Sequence, residues 1–277
     1  KLYKYSKKIY QRDKFIYNYS QFDKNKFIVS WKTDRKKFMR INPYKSYKKM
    51  SKKANKLRKD GYLKLNIERN LDTYKAVKKI KRESEKLDII ANTKNNFNKD
   101  NKCFLEVITH FFDKKDLLLI ANDKNIFDTV SSYFGFYPTI RSIEVWINFP
   151  TKNKACETQL FHRDNDDDRL IKLFIPISSI NMKNGPFQFL KGSHKKKAPF
   201  EYFKDISRGK IKESLEHKII EYFPNIISFT GSLGDAFLVD SRGLHRGLKP
   251  IEKYRIMISI SYTSPNPNYP LIGLGDI

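Results

Sequence analysis

From Pro138 to Thr263 the chain is a succession of short runs rich in β-branched and aromatic residues. The runs are Ser142–Phe149, Thr158–Asp164, Leu170–Ser178, Phe187–Leu190, Ile226–Thr230, Asp235–Asp240 and Tyr254–Thr263. Turn-forming stretches fall between several of them, at Asn184-Gly-Pro186, Gly231-Ser-Leu-Gly234 and Ser241-Arg-Gly243. Many short strands with turns between them predict antiparallel sheets folded against each other in a double-sheet jelly roll. Ala198–Tyr222 interrupts the series as an insertion with some helix.

Ahead of this region the periodicity is helical. Ser46–Asp60 reads as a helix stopped by Gly61, and Tyr62–Ile67 alternates like a strand. Asp72–Leu87 places Ala76, Val77, Ile80 and Leu87 on one helical side. Asp116–Ala121 and Asn125–Tyr133 also read as helices, the second ending at Gly135. Asn92–Lys102 is a polar loop, and Cys103–Phe112 fits a strand and a helix equally well. The fold class expected is mainly β, a jelly roll with flanking helices. Residues 1–54 form a basic N-terminal extension with a short strand near Phe27–Trp31. Residues 55–263 form the main domain, with the jelly roll from about 138, and 264–277 form a Pro/Asn/Gly tail.

Thr158-Gln-Leu-Phe-His162-Arg-Asp164 carries a His and an Asp two residues apart. In a strand, side chains i and i+2 share a face, so imidazole and carboxylate reach one point. That is two thirds of a two-His-one-carboxylate metal face, the open coordination set of non-haem Fe(II) oxygenases. His245 is the best candidate for the third ligand, because it follows the run Asp235–Asp240 across a glycine-containing turn. A lone histidine is more often structural than a ligand; pairing with Asp164 and placement at a turn set His162 and His245 apart from His110, His194 and His217.

Arg255 lies ten residues after His245, on the next strand. Fe(II) oxygenases commonly use 2-oxoglutarate, whose distal carboxylate needs a cation deep in the barrel. A guanidinium offers a bidentate fork and keeps its charge when buried.

These residues resemble the phytanoyl-CoA dioxygenase family of Fe(II)/2-oxoglutarate oxygenases, which includes ectoine hydroxylase. The resemblance is carried by Lys59-Asp-Gly-Tyr62, Gln159-Leu-Phe-His-Arg-Asp164, Lys172-Leu-Phe-Ile-Pro-Ile177 and Asn184-Gly-Pro-Phe187. Lys191-Gly-Ser-His194, Gly234-Asp235 and Leu244-His-Arg-Gly247 followed by Arg255 complete it. It spans about residues 55 to 263. It implies a mainly β fold, a double-stranded β-helix (a cupin-like jelly roll) flanked by helices, with Fe(II) on His162, Asp164 and His245, 2-oxoglutarate on Arg255, and O2 as co-reactant. No catalytic residue beyond the metal ligands is implied, and His194 belongs to a loop motif rather than to the metal. Many relatives carry a hydroxyl residue two positions after the cosubstrate arginine; here Met257 stands there. Asn148, on the strand before the His-x-Asp run, is the candidate to complete the carboxylate site. Lys172 sits in an apolar strand, where it either faces the barrel and pairs with a cosubstrate or substrate carboxylate, or faces solvent.

The implied activity is a dioxygenase that hydroxylates a C–H bond and releases succinate and CO2. A carboxylate at 164 fills a coordination position that related halogenases leave open for chloride. The substrate is not legible beyond a small-molecule or carrier-linked compound.

Charge bears on partners. The net charge is +26, and residues 1–100 hold 31 Lys and Arg against 10 Asp and Glu. This basic third is either a solvated lysine-rich surface or a surface for an anionic substrate, nucleic acid or membrane. The rival class is a non-catalytic jelly roll that binds nucleic acid or another polyanion through this third. A zinc hydrolase with the same three ligands is a further alternative, but it gives Arg255 no role. His-Arg-Asp is not a kinase catalytic loop, because Arg169 stands where that loop needs Asn. Asp166–Asp168 could bind a cation but reads better as a solvated loop, and Trp146 reads as core or pocket wall. Two cysteines, Cys103 and Cys156, imply no disulfide framework and hence a cytoplasmic setting. No apolar run approaches a membrane span, and Lys1-Leu-Tyr-Lys-Tyr-Ser lacks the apolar segment of a signal peptide.

Overall fold

A computed structural model describes residues 50–87, 105–164, 167, 169–196, 198–205 and 209–264. The expected strand near Phe27–Trp31, the loop Asn92–Lys102 and the tail after residue 264 lie outside the described residues, as does nearly all of the extension 1–54.

Eleven strands are named in chain order: β1 (Tyr62–Asn66), β2 (Leu105–Val107), β3 (Thr139–Asn148), β4 (Leu170–Pro176), β5 (Phe187–Leu190), β6 (Phe203–Asp205), β7 (Lys210–Ile211), β8 (Ile226–Phe229), β9 (Asp235–Asp240), β10 (His245–Gly247) and β11 (Arg255–Thr263). The helices are α1 (Lys52–Asp60), α2 (Leu71–Ser84), α3 (Lys114–Ala121), α4 (Lys124–Phe134) and α5 (Glu216–Tyr222). A six-stranded sheet runs β1-β9-β4-β11-β3-β2, a three-stranded sheet β10-β5-β8, and β6 pairs with β7. All recorded strand pairs are antiparallel.

Alternation along the strands of the six-stranded sheet gives it a hydrophobic cluster on each face. Ile256, Ile258 and Ile260 of β11, Val145 and Ile147 of β3 and Leu173 of β4 join a cluster with Val77, Ile80, Ile120 and Val130 from the helices. The other parity faces the three-stranded sheet. There Phe174, Phe187, Phe189, Phe229, Phe237 and Met257 form an aromatic cluster. β11 is buried along its whole length, because helices cover one face and the second sheet covers the other. Its polar residues Arg255, Ser259 and Ser261 therefore point inward, beside Asn148, Glu144 and Ser142 of β3 across the ladder.

Local chemistry fixes the ends of the helices. Ser51 caps α1 through its side chain, and Gly61 closes it at φ 82° with its N–H on the Leu57 carbonyl, 2.8 Å away. Only glycine is comfortable at that φ. A side chain there would also collide with the His194 ring, since an added Cβ would lie 2.5 Å from its Nδ1. Buried Asp123 ties the helical layer together. It accepts from Asn70 (2.6 Å) and Thr73 (2.7 Å) at the start of α2 and from Asn125 and Ile126 at the start of α4.

Several expectations are corrected. Thr158–Asp164 is not a strand: Glu157–Gln159 forms a 3-10 turn, and His162 makes only isolated bridges, to Lys210 and to His245. His162 is the one position of the segment that forms a bridge to either neighbour, which is too short a ladder for a strand. Of the stretch Cys103–Phe112, which fitted strand and helix equally, residues 103 and 104 lie outside the described residues and the rest forms β2 followed by a 3-10 turn at Thr109–Phe111. The turn expected at Ser241–Gly243 is present, and beyond it His245–Gly247 forms a short strand of its own. Asp167 is not solvated. It is buried, and its Oδ2 accepts from the backbone N–H and hydroxyl of Ser264 at 2.7 and 2.6 Å. Cys156 is disulfide-bonded, whereas its sequence spacing carried no signal for a bridge. The cysteines therefore no longer argue for a reducing compartment. No helix among the described residues is long and apolar enough to cross a membrane.

Candidate metal centre

His162, Asp164 and His245 offer ligand atoms that all lie within 4.8 Å of one another. Backbone pairing brings them together. His162 and His245 exchange N–H···O bonds of 2.9 and 2.8 Å, and the Asp164 N–H donates to the Ser241 carbonyl at 2.9 Å. On the other side, Arg163 N–H reaches the Gly209 carbonyl and Ile211 N–H the Phe161 carbonyl. The His-x-Asp segment is thus wedged between β10 and β7, and side chains 162 and 164 project to the same side.

Each imidazole is oriented by its own chain. His162 Nδ1 lies 2.9 Å from the Leu160 carbonyl and His245 Nδ1 2.9 Å from the Gly243 carbonyl. A carbonyl only accepts, so each Nδ1 carries the proton and each Nε2 lone pair is left for a metal. Burial pushes the His162 pKa down, and burial together with His162 pushes His245 to about 3. Both rings are therefore neutral at physiological pH, as ligands must be. Burial alone would raise Asp164, but Lys172 and the two imidazoles hold it well below the usual carboxylate range. The Lys172 Nζ lies 2.8 Å from Asp164 Oδ2, and the same oxygen is 3.6 Å from His245 Nε2. Of the two readings for Lys172, the barrel-facing one is what the structure has.

The pocket around the triad continues past Trp146, Phe174 and Met257 to Arg255. Arg255 is buried, and its Nη2 donates to Asn148 Oδ1 at 3.0 Å and its Nη1 to the Leu248 carbonyl at 3.3 Å. Its Nε has no partner, and burial lowers its pKa to about 10. A buried guanidinium bonded only to neutral oxygens, with one donor idle, is suited to an incoming carboxylate. Gly247 makes room for it: an added Cβ would sit 3.0 Å from Nη2. Thr158 and Ser259 also line the pocket. Ser259 was findable in the sequence, because it shares the parity of Arg255 on one strand; Thr158 carried no such signal. Phe187 lies against the His245 ring, 5.2 Å between centroids and 20° from parallel.

The motif segments converge on the turn that carries His245. Ser193 Oγ accepts from Leu244 N–H at 2.7 Å and donates to the Leu190 carbonyl at 2.6 Å. His194 Nε2 reaches the Arg58 carbonyl at 3.1 Å, away from the metal ligands. Arg246 lies over the Phe161 ring at 4.3 Å, bonds Gln188 and pairs with Glu216.

The donor set suits a divalent ion: two neutral imidazole nitrogens, one carboxylate, and a buried Asp164 Oδ2 that accepts no well-directed hydrogen bond. The adjoining cationic end suits a dicarboxylate. The fold is a jelly roll of antiparallel sheets, and solved structures described as non-haem α-ketoglutarate-dependent enzymes are similar to it. Among solved structures similar to it is the epimerase SnoN of nogalamycin biosynthesis (TM-score 0.56, 14% identity, 81% of this chain and 88% of that one). Iron-bound EctD from S. alaskensis is also similar (TM-score 0.55, 18% identity, 82% of each chain). A third is HygX from Streptomyces hygroscopicus with nickel and 2-oxoglutarate bound (TM-score 0.53, 15% identity, 78% of this chain and 87% of that one). No protein-family model and no curated protein sequence matches the chain.

Proposed function

We propose that this protein is an Fe(II)/2-oxoglutarate-dependent dioxygenase of the phytanoyl-CoA dioxygenase type that hydroxylates a C–H bond of a small-molecule or carrier-linked substrate. The observation that carries the reading is the closure of His162, Asp164 and His245 around one point, in a pocket that ends on a buried arginine with no carboxylate partner among the described residues. His162, Asp164 and His245 would hold Fe(II). Arg255, with Asn148 beside it, would hold the distal carboxylate of 2-oxoglutarate, and Lys172 is placed to meet a carboxylate nearer the metal. Iron with 2-oxoglutarate and O2 supplies, when bound, the oxidising power to break an unactivated C–H bond. The chain fixes the ligands, keeps both imidazoles neutral, and screens the site from water with Phe174, Phe187 and Met257. We take residues 55–263 as the catalytic unit, with 1–54 as a basic extension and 264–277 as a tail.

Hydroxylation rather than halogenation is supported by Asp164, which leaves no ligand position for a halide. SnoN is described as an epimerase, so the fold by itself does not set the outcome. A non-catalytic polyanion binder and a zinc hydrolase both leave the buried Arg255 without a purpose. The test is anaerobic addition of Fe(II) and 2-oxoglutarate. A weak visible charge-transfer band is expected, followed by succinate release once O2 and a substrate are supplied. Lack of the band in metal-loaded protein would refute the cosubstrate assignment.

A further inference from the structure

Lys172 stands where a metal's charge would otherwise be felt. It lies in the middle of β4, opposite Ser261 of β11 and Val239 of β9. Its parity is that of Phe174, so it points into the barrel. Its ammonium is 2.8 Å from Asp164 Oδ2, and the two side chains are only 17% and 13% exposed. That oxygen is the one turned toward His245 Nε2, 3.6 Å away. A divalent ion between the imidazoles and Asp164 must therefore share a carboxylate with an ammonium already in contact with it. Both are cations, and between side chains this far withdrawn from solvent their repulsion is only weakly screened.

Resting on the metal-site reading above, we propose that Lys172 is a surrogate cation: it neutralises Asp164 in the empty site and opposes metal binding until an anionic ligand enters to receive it. Before loading, the ammonium balances a buried carboxylate that would otherwise be unpaired. When a metal takes over that role, a further anion beside the ammonium relieves the repulsion between the two cations. The chemistry that fits is a carboxylate of the cosubstrate or of an acidic substrate. Metal and anion then favour each other's binding, and the linkage is reciprocal. Lys172 is a positioning residue here, since it acts through Asp164.

The probe is Mn(II), titrated without cosubstrate and followed by the electron paramagnetic resonance of the free ion. Lys172→Met removes the charge and keeps the stem; Lys172→Gln serves as a second variant should the first fold poorly; Lys172→Arg keeps the charge. Both neutral variants are expected to bind Mn(II) about tenfold more tightly than the native protein, and Lys172→Arg to stay near native affinity. Unchanged or weaker binding in a folded neutral variant would overturn the inference while leaving the metal site intact. Mn(II) binding that is absent from native and variant proteins alike, or that survives His245→Ala, would instead overturn the metal-site reading and this inference with it.

Discussion

His162 and His245, 83 residues apart in sequence, exchange two backbone hydrogen bonds and hold their rings 4.3 Å apart between centroids. The ligand geometry is thus set by main chain before any ion arrives. Removal of a ligand should then abolish binding without unfolding the protein. His245→Ala is expected to weaken Mn(II) or Fe(II) affinity at least about 100-fold, with the circular dichroism spectrum retained. Asp164→Ala should end 2-oxoglutarate turnover; succinate formed at the native rate with iron still bound would remove Asp164 from the ligand set.

The pocket's far end gives a graded series. Arg255→Leu removes the cation, and the KM for 2-oxoglutarate should rise about 100-fold, in line with the loss of a charge-assisted pair. Asn148→Ala removes the neighbour that holds Nη2 and should cost about tenfold. Steady-state succinate formation at varied 2-oxoglutarate reads both. Equal effects from the two variants would contradict the division of roles.

Acid should destabilise the metal-free protein well above the carboxylate range. Burial depresses His162, His194 and His245, the last to about 3. A histidine whose folded pKa lies below its unfolded value of about 6.5 takes up its proton more readily in the unfolded chain. Its contribution is complete above about pH 6.5 and is lost as the pH falls below that, by up to about 1.4 kcal/mol per pH unit per group. Asp164 works in the same direction but titrates only below about pH 4. Urea unfolding with chelator present should therefore give lower stability at pH 5.5 than at pH 7.5. His194→Gln should flatten the slope without touching the metal ligands.

Asp240 is fully buried and anchors the segment that leads to His245. Tyr133 OH donates to its Oδ2 at 2.6 Å, while Arg242 Nε meets its Oδ1 at 2.8 Å. Tyr133→Phe leaves one bond of a buried charged group unmade and should cost about 1–3 kcal/mol, measurable as a lower urea midpoint at unchanged m-value.

The parts of this architecture that were legible in the sequence are those where one pattern dominates. Asp235–Asp240 and Phe187–Leu190 appear with the expected bounds, because apolar runs end at strong turn residues. Gly61 and Gly135 end helices as expected, each at φ 82°. Two things were hidden. β10 is three residues long, too short for any period, and the His-x-Asp segment is held by partners remote in sequence rather than by its own strand character. The inward orientation of Lys172 was also illegible, since β4 is covered on both faces and its apolar residues carry no alternation that marks the barrel side.

One wall of the barrel remains open to variation. Ser142 and Glu144 of β3, with Ser261 of β11, share the face that carries Asn148 and Arg255, yet none of them makes the backbone bonds that position the three ligands. On the proposed oxygenase reading, substitutions along this wall should alter which compound is accepted while leaving the backbone bonds around His162, Asp164 and His245 in place.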